Sequence, residues 1–202
     1  SKKYPVRDPF MALNRNSCNT FLNAMTAPDR TDYPAASPVK KDFDNIFSVY
    51  TDAVFDPLLR KEDFMQEGIR LSSQGGLHFE GVVFSEMLGD ISSHESVVQN
   101  ATTRPLYGKA SPYNYEFGGN PPDITDLTYE KFLETYHKYY VPANITLFLY
   151  GDLDVLEKLE FLDKEYLSHR DGGEKAERVK CPERWSEPKR CRFESSADED
   201  DD

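Results

Sequence analysis

A single acidic side chain, Glu86, is the residue of this sequence whose position first suggests chemistry. It lies in residues 80–90, EGVVFSEMLGD, four positions after Val82 and three after Val83. On a helix these spacings place the carboxylate on the same face as two apolar side chains. The ordinary explanation is a glutamate at the edge of an amphipathic helix that points to water. The alternative is a metal ligand or an acid–base group held at the rim of an apolar face.

The histidines offer no metal site of their own. They are His78, His94, His137 and His169. None has a partner at the spacing of H-E-x-x-H or H-x-x-E-H, in which two imidazoles on one helix face bind zinc. We therefore expect each histidine to be structural or exposed. Ser93, His94 and Glu95 are neighbours in sequence, which does not bring three side chains together on a helix, so no hydrolase triad is predicted.

The charge of the chain disfavours some classes of partner. The 202 residues carry a net charge of −12, and the tail 194–202, ESSADEDDD, holds six carboxylates and no base. No stripe rich in Lys and Arg is present, so the sequence predicts no nucleic acid partner. No run of 18 apolar residues occurs, which predicts no membrane span.

Other features bear on the compartment and on completeness. The three cysteines include no C-x-x-C pair, which fits a reducing compartment. No basic segment followed by an apolar one suggests a signal peptide. The chain begins with Ser1 and not with Met, so we expect a piece of a longer protein.

The elements that must position Glu86 follow from hydrophobic periodicity and from turn residues. We expect helices over 7–17, from Ser37 and Pro38 to Pro57, over 81–101, from Thr128 to Pro142 and over 154–169. We expect hairpin strands over 20–26 and 31–36, a short helix and strands around Gly75 and Gly76, and a buried strand over 145–152 (ITLFLYGD). Residues 104–126 are predicted to form a loop. This order predicts an α+β fold, in which helices pack on one face of an antiparallel sheet.

Five segments carry a family resemblance. They are SKKYPVRDPF, NTFLNAMTAPDRTDYPAAS, DFDNIFSVYTDAVFDPLL, EGVVFSEM and PDITDLTYEKFLETYHKYYVPANITLFLYGD. Together, in this order over residues 1–152, they resemble the insulinase/pitrilysin family of zinc metallopeptidases, in the branch of presequence protease and falcilysin. The resemblance implies the metallohydrolase domain of that family.

The resemblance implies a role for Glu86. Family members bind zinc through two histidines of an H-x-x-E-H motif on one helix and a glutamate on a second helix, in the block that EGVVFSEM resembles. That glutamate corresponds to Glu86. Three protein ligands with water at the fourth position form a catalytic zinc site. The H-x-x-E-H helix precedes the segment that SKKYPVRDPF resembles, so both histidines and the general base are missing here, and we expect the chain alone to be inactive.

The resemblance also implies substrate and partners. A strand with an N-A-x-T pattern pairs with the peptide substrate in this family, and here it corresponds to Asn23, Ala24, Met25 and Thr26; an ordinary sheet edge is the alternative. The remaining part of the peptidase would complete the site. Substrates in this branch are unstructured peptides, often targeting peptides.

These inferences give one main interpretation. We predict that residues 1–170 are part of the N-terminal metallopeptidase domain and that 171–202 are a polar, partly disordered segment with an acidic tail. The parent protein is predicted to be a zinc metalloendopeptidase, in the mitochondrial matrix or another organelle, with the cytoplasm as the alternative. The other candidate functions are a non-catalytic scaffold subunit of the same fold and a peptide-binding module.

Overall fold

The structure of the chain is a computed structural model, which describes residues 1–6, 8–91, 93–180, 184–188, 190 and 192. The helices within these residues are α1 (Pro9–Asn16), α2 (Lys40–Phe55), α3 (Lys61–Glu67), α4 (Val82–Asp90), α5 (His94–Thr103), α6 (Pro121–Ile124), α7 (Tyr129–Tyr139) and α8 (Val155–Leu162). The strands are β1 (Phe21–Leu22), β2 (Met25–Ala27), β3 (Arg30–Asp32), β4 (Ala35–Ala36), β5 (Arg70–Ser72) and β6 (His78–Glu80).

The strands pair in three two-stranded ladders, β1 with β4, β2 with β3, and β5 with β6. The β1–β4 ladder is antiparallel and pairs Phe21 with Ala36, and the β5–β6 ladder is antiparallel and pairs Leu71 with Phe79. Helices together with small antiparallel ladders confirm the predicted α+β class.

The chain divides into two compact units. Unit 1 comprises Ser1–Met25, Asp32–Leu59 and Glu130–Glu177, and unit 2 comprises Thr26–Thr31, Arg60–Tyr129 and Arg178–Asp202. Each unit has a hydrophobic core of its own.

The core of unit 1 joins α2 to α8 and the turn that follows it. Phe47 and Phe55 are eight positions apart on α2 and therefore share one helix face. Leu162 ends α8, and Tyr166 lies in the single π-helical turn Asp163–Leu167. The rings of Phe55 and Tyr166 stack with centroids 5.2 Å apart. Burying each such side chain stabilises the fold by about 1.5–3 kcal/mol.

Buried polar groups tie further segments to this core. The carboxylate of Asp52 accepts hydrogen bonds from the backbone N–H of Lys3 at 2.9 Å and from the hydroxyl of Tyr166 at 3.3 Å. Lys158 is only 4% exposed, and its Nζ lies 2.6 Å from Oδ1 of Asp44. Burial alone would lower the pKa of Lys158, but the hydrogen bonds to Asp44 and to the neighbouring Glu157 raise it, so the ammonium stays charged.

The core of unit 2 surrounds α4. Ile69, Met87 and Ile124 are buried together, and Phe84 packs against them. Phe84 and Met87 are three positions apart, which gives α4 one apolar face toward this core. Residues from the β5–β6 hairpin region and from α6 thus fix α4 in place.

Two predicted helices differ from the observed ones. The helix predicted over 81–101 is two helices, because Ser93 begins α5 by accepting a hydrogen bond on Oγ from the N–H of Ser96 at 3.1 Å. The predicted start of α2 is also wrong: Ser37 Oγ accepts from the N–H of Val39 at 3.3 Å in a local turn, and the helix begins at Lys40.

The predicted loop over 104–126 and the predicted strand over 145–152 also need correction. The loop contains two 3₁₀ turns, Arg104–Leu106 and Pro112–Asn114, and the short helix α6. The ITLFLYGD segment is neither a strand nor buried, since Phe148 is 82% exposed and Tyr150 is 86% exposed. Among the described residues it has no neighbouring strand, and a strand exists only where a partner accepts its backbone hydrogen bonds.

Three further predictions concern the domain boundary, the acidic tail and membrane-spanning segments. The boundary at residue 170 stays a prediction, and the acidic tail 194–202 lies outside the described residues. None of the helices in the described part of the chain is long and apolar enough to cross a membrane.

Candidate metal-ligand and substrate-pairing residues

The turn before α4 requires glycine. A Cβ at Gly81 would overlap the carbonyl oxygen of Gly68, the residue that caps the C-terminus of α3. The close approach of these two backbones fixes where β6 passes into α4. Because Phe84 and Met87 point into the core of unit 2, the opposite face of the helix is presented outward.

That outward face carries Glu86. Its side chain is exposed and forms no hydrogen bond or ion pair with the residues that the structure describes. Val82, at 54% exposed, and Val83, at 38% exposed, lie on the same face one turn earlier. The shared face predicted from the sequence is therefore present, as a carboxylate beside apolar side chains that nothing in the described chain covers.

Of the residues predicted to form the substrate strand, Met25 and Thr26 lie in β2, whereas Asn23 and Ala24 precede it. Asn23, Ala24, Met25 and Thr26 all have exposed side chains. The N–H of Asn23 donates to the carbonyl of Pro34 at 3.1 Å. Within the described residues β2 pairs with β3 alone, so its other edge has free backbone groups that can pair with an extended peptide.

Polar contacts anchor the start of this edge. The carbonyl of Asn23 accepts from the hydroxyl of Tyr50 at 3.4 Å, and the N–H of Ala24 donates to Oδ1 of Asn23 at 2.9 Å. Burial raises the pKa of Tyr50, so the phenol stays protonated and able to donate. Asn23, Ala24 and Met25 belong to unit 1, whereas Thr26 and Glu86 belong to unit 2.

Comparison with known proteins identifies the family. Residues 126–200 match the family described as "Peptidase M16 inactive domain". The mitochondrial presequence protease of Drosophila melanogaster is 38% identical over 205 residues, which cover 98% of the chain and 20% of that protein. Presequence protease 1, chloroplastic/mitochondrial, of Arabidopsis thaliana is 39% identical over 94% of the chain and 18% of its own length. The chain belongs to the M16 peptidase family.

Membership confirms the resemblance to the insulinase-type peptidases and to their presequence protease branch. Relatives also occur in bacteria: an uncharacterized protein of Borreliella burgdorferi is 45% identical over 81% of the chain and 17% of that protein. The chain spans about a fifth of the length of the curated relatives it matches.

The described residues of this M16 chain bring no set of zinc ligands together. Zinc sites in proteins use three or four Cys, His, Asp or Glu ligands. No cluster of three such side chains occurs in the part of the chain that the structure describes. His78 is engaged elsewhere, since its Nε2 lies 3.0 Å from Oε1 of Glu80, which also pairs with Arg70. A zinc site that used the carboxylate of Glu86 would need at least two further ligands from outside the described residues.

The support of α4 by the loop after α5 was not visible in the sequence. A Cβ at Gly118 would overlap Sδ of Met87, and one at Gly119, where φ is +96°, would lie 3.0 Å from the side chain of Ile124. The pair GG in residues 117–120, FGGN, was the available signal for this close approach. These glycines let the loop pack directly against the helix that carries Glu86.

Proposed function

We propose that this chain is part of a zinc metalloendopeptidase that degrades unstructured peptides, and that Glu86 is one of its zinc ligands. The observation that supports the ligand role is the exposed carboxylate on an apolar outward face of α4. A solvated helix face is normally polar, so apolar residues beside an unpaired carboxylate favour a face that another segment covers. A helix with two histidines would cover the valines and complete the ligand set.

We further propose that the 202-residue chain is inactive when isolated. One carboxylate binds zinc weakly, because affinity comes from several ligands that the fold holds in place. Zinc in a complete site acts as a Lewis acid toward the scissile peptide group. The remaining part of the peptidase would supply the two histidines and the general base.

The proposed substrate is an extended peptide that pairs with Asn23, Ala24, Met25 and Thr26. The open edge of β2 supports this role, since backbone pairing recognises an extended chain largely without regard to its sequence. The net charge of −12 suits basic peptides, such as targeting peptides.

For the location we propose the mitochondrial matrix or another organelle. The names of the presequence proteases of Drosophila and Arabidopsis place those proteins in mitochondria and in chloroplasts or mitochondria. The cytoplasm is the alternative.

A non-catalytic role is the second candidate. The matched family carries the words "inactive domain", which favours a segment that supports a site or binds a partner without doing chemistry. A scaffold of this fold predicts a degenerate H-x-x-E-H motif elsewhere in the protein. A peptide-binding module predicts that Glu86 affects neither metal content nor peptide binding.

The test is Glu86→Gln in the intact peptidase, with Glu62→Gln as the matched control. Glu62 is exposed on α3 in the same unit as Glu86. We expect Glu86→Gln to weaken zinc binding by at least about 100-fold, more than the loss of an outer-shell partner, and to lower kcat in proportion. Glu62→Gln should change neither. Stoichiometric zinc and normal turnover in Glu86→Gln would show that the ligand assignment is wrong.

The isolated chain gives an independent control. Because the carboxylate of Glu86 is exposed and unpaired, Glu86→Gln should change the free energy of unfolding of the chain by less than about 0.5 kcal/mol. The wild-type chain with added zinc should not cleave an unstructured basic peptide. Zinc-dependent cleavage by the chain alone would contradict the proposed incomplete site.

A further inference from the structure

Residues 145–150, ITLFLY, form an exposed apolar segment in unit 1. Phe148 and Tyr150 are 82% and 86% exposed, and Leu147 is 44% exposed. Two large aromatic side chains in water within three positions are unusual on a protein that needs no partner there. The segment is therefore as apolar as a core strand, although most of its side chains are exposed to solvent.

One side of the segment is already packed. Ile145 and Leu149 contact the core formed by Phe47, Phe55, Leu162 and Tyr166. Ile145 has extended backbone angles, with φ of −100° and ψ of 138°. Ile145 and Leu149, which share one face of an extended chain, are half-buried against this core, whereas Phe148 and Tyr150 on the opposite face are exposed. Leu147, between the two half-buried residues, is exposed as well.

The backbone of the segment is unpaired. Among the described residues, no group accepts a hydrogen bond from the backbone N–H of residues 146–150, and none donates to their carbonyls. Backbone groups of a strand that joins a hydrophobic core need such partners. Exposed aromatic side chains and unpaired backbone groups are together the features of a strand that lacks its partner strand.

We propose that residues 145–150 form a docking strand, which pairs with an extended segment that is apolar at alternate positions and belongs to a part of the M16 peptidase outside this chain. This inference rests on the proposed function only in requiring a longer peptidase. Pairing would satisfy the backbone of residues 146–150, and apolar side chains of the incoming part would cover Phe148 and Tyr150.

The length of the relatives supports this occupant. The matched proteins are about five times as long as this chain, so most of such a protein lies outside it and can supply a strand. A second copy of the chain is disfavoured, because a net charge of −12 opposes self-association. A membrane is disfavoured, because six residues with free backbone groups cannot enter a bilayer.

The test combines hydrogen–deuterium exchange with two substitutions at Phe148. Phe148→Pro removes the ring and the backbone N–H, whereas Phe148→Ala removes only the ring. Both variants are made in the 202-residue chain and in the intact peptidase. Because Phe148 is exposed and its N–H is unpaired, we expect neither variant to lower the midpoint of unfolding of the 202-residue chain.

We expect amides 146–150 of the isolated chain to exchange within about tenfold of unstructured rates, and to exchange at least about 100-fold more slowly in the intact peptidase. Phe148→Pro should abolish that protection, and Phe148→Ala should retain part of it. Fast exchange in the intact wild-type peptidase would overturn the proposal. Protection in the isolated chain that rises with its concentration would also overturn it, in favour of a second copy.

The outcome is separable from the zinc hypothesis. Glu86→Gln in the intact peptidase should leave amides 146–150 protected, because Glu86 lies in unit 2 and the docking strand in unit 1. Normal zinc content in Glu86→Gln, with amides 146–150 protected, would count against the proposed function only. Zinc bound by the wild type and lost in Glu86→Gln, with amides 146–150 unprotected in both, would count against the docking strand only.

Discussion

Substitution of Gly118 tests whether the loop before α6 holds α4, the helix that carries Glu86. In Gly118→Ala the new methyl group would overlap Sδ of Met87 and lie 2.8 Å from its Cε. Met87 is buried between Ile69 and Ile124, so its side chain has little free space to move into. Overpacking a well-packed core costs about 1–3 kcal/mol. Methionine adapts better than other apolar side chains, which places the expected cost at about 1–2 kcal/mol.

A second glycine gives a control on the same helix. Gly89 lies in α4 and has open space around the position of a Cβ. Gly89→Ala should therefore stabilise the protein by up to about 1 kcal/mol, the difference in helix propensity. The two glycine-to-alanine changes are chemically identical and should have opposite signs.

The assay is urea denaturation followed by the fluorescence of Trp185, the single tryptophan of the chain, which belongs to unit 2. Its indole N–H donates to the carbonyl of Leu106 at 3.2 Å, so its emission should report the unfolding of this unit.

Met87→Ala should cost about 2–5 kcal/mol on its own. In that background Gly118→Ala should cost much less, since the overlapping thioether is gone. An equal cost of Gly118→Ala with and without Met87 would refute the proposed contact.

Three ionic and hydroxyl contacts of unit 1 give further predictions. Lys158→Met should lower the free energy of unfolding by about 1–2 kcal/mol, because the carboxylates it leaves can be solvated again. Hydrogen bonding to Lys158 holds the pKa of Asp44 below its usual value, so acid titration should show stability lost as pH falls below about 4, and less so in Asp44→Asn. Asp56→Ala should cost about 1–3 kcal/mol in thermal unfolding, since it leaves Arg170 without its carboxylate. Tyr33→Phe removes a 2.6 Å hydroxyl contact and should cost about 1 kcal/mol by urea denaturation.

Local patterns in the sequence predicted most helices because a helix satisfies its own backbone. The repeat of aromatic residues in α7 predicted a helix from Thr128 to Pro142, and the structure has Tyr129–Tyr139. Helix starts were less predictable, since they depend on which hydroxyl reaches which N–H. Ser37 makes a local turn instead of the predicted cap, and Ser93 caps a helix that was predicted to be continuous.

The error at residues 145–152 has a different cause. The apolar run predicts a strand, but a strand also needs a partner strand, often one distant in sequence, and periodicity does not identify that partner. The same limit applies to the candidate site. The face shared by Glu86, Val82 and Val83 followed from helical spacing, whereas the contact of Gly118 with Met87 joins residues 31 positions apart and could not be predicted from local pattern.

The two candidate functions differ in which free surfaces they require to be filled. The carboxylate of Glu86, the open edge of β2 and the segment 145–150 each present groups without a partner among the described residues. On the proposal above, a scaffold of the M16 fold would also pair the docking strand, but it has no use for a zinc ligand. A peptidase needs a metal ion at Glu86, substrate at the edge of β2 and a partner strand at residues 145–150. Protected amides at 146–150 together with a metal content that does not depend on Glu86 would therefore favour the scaffold, whereas protection together with Glu86-dependent zinc would favour the enzyme.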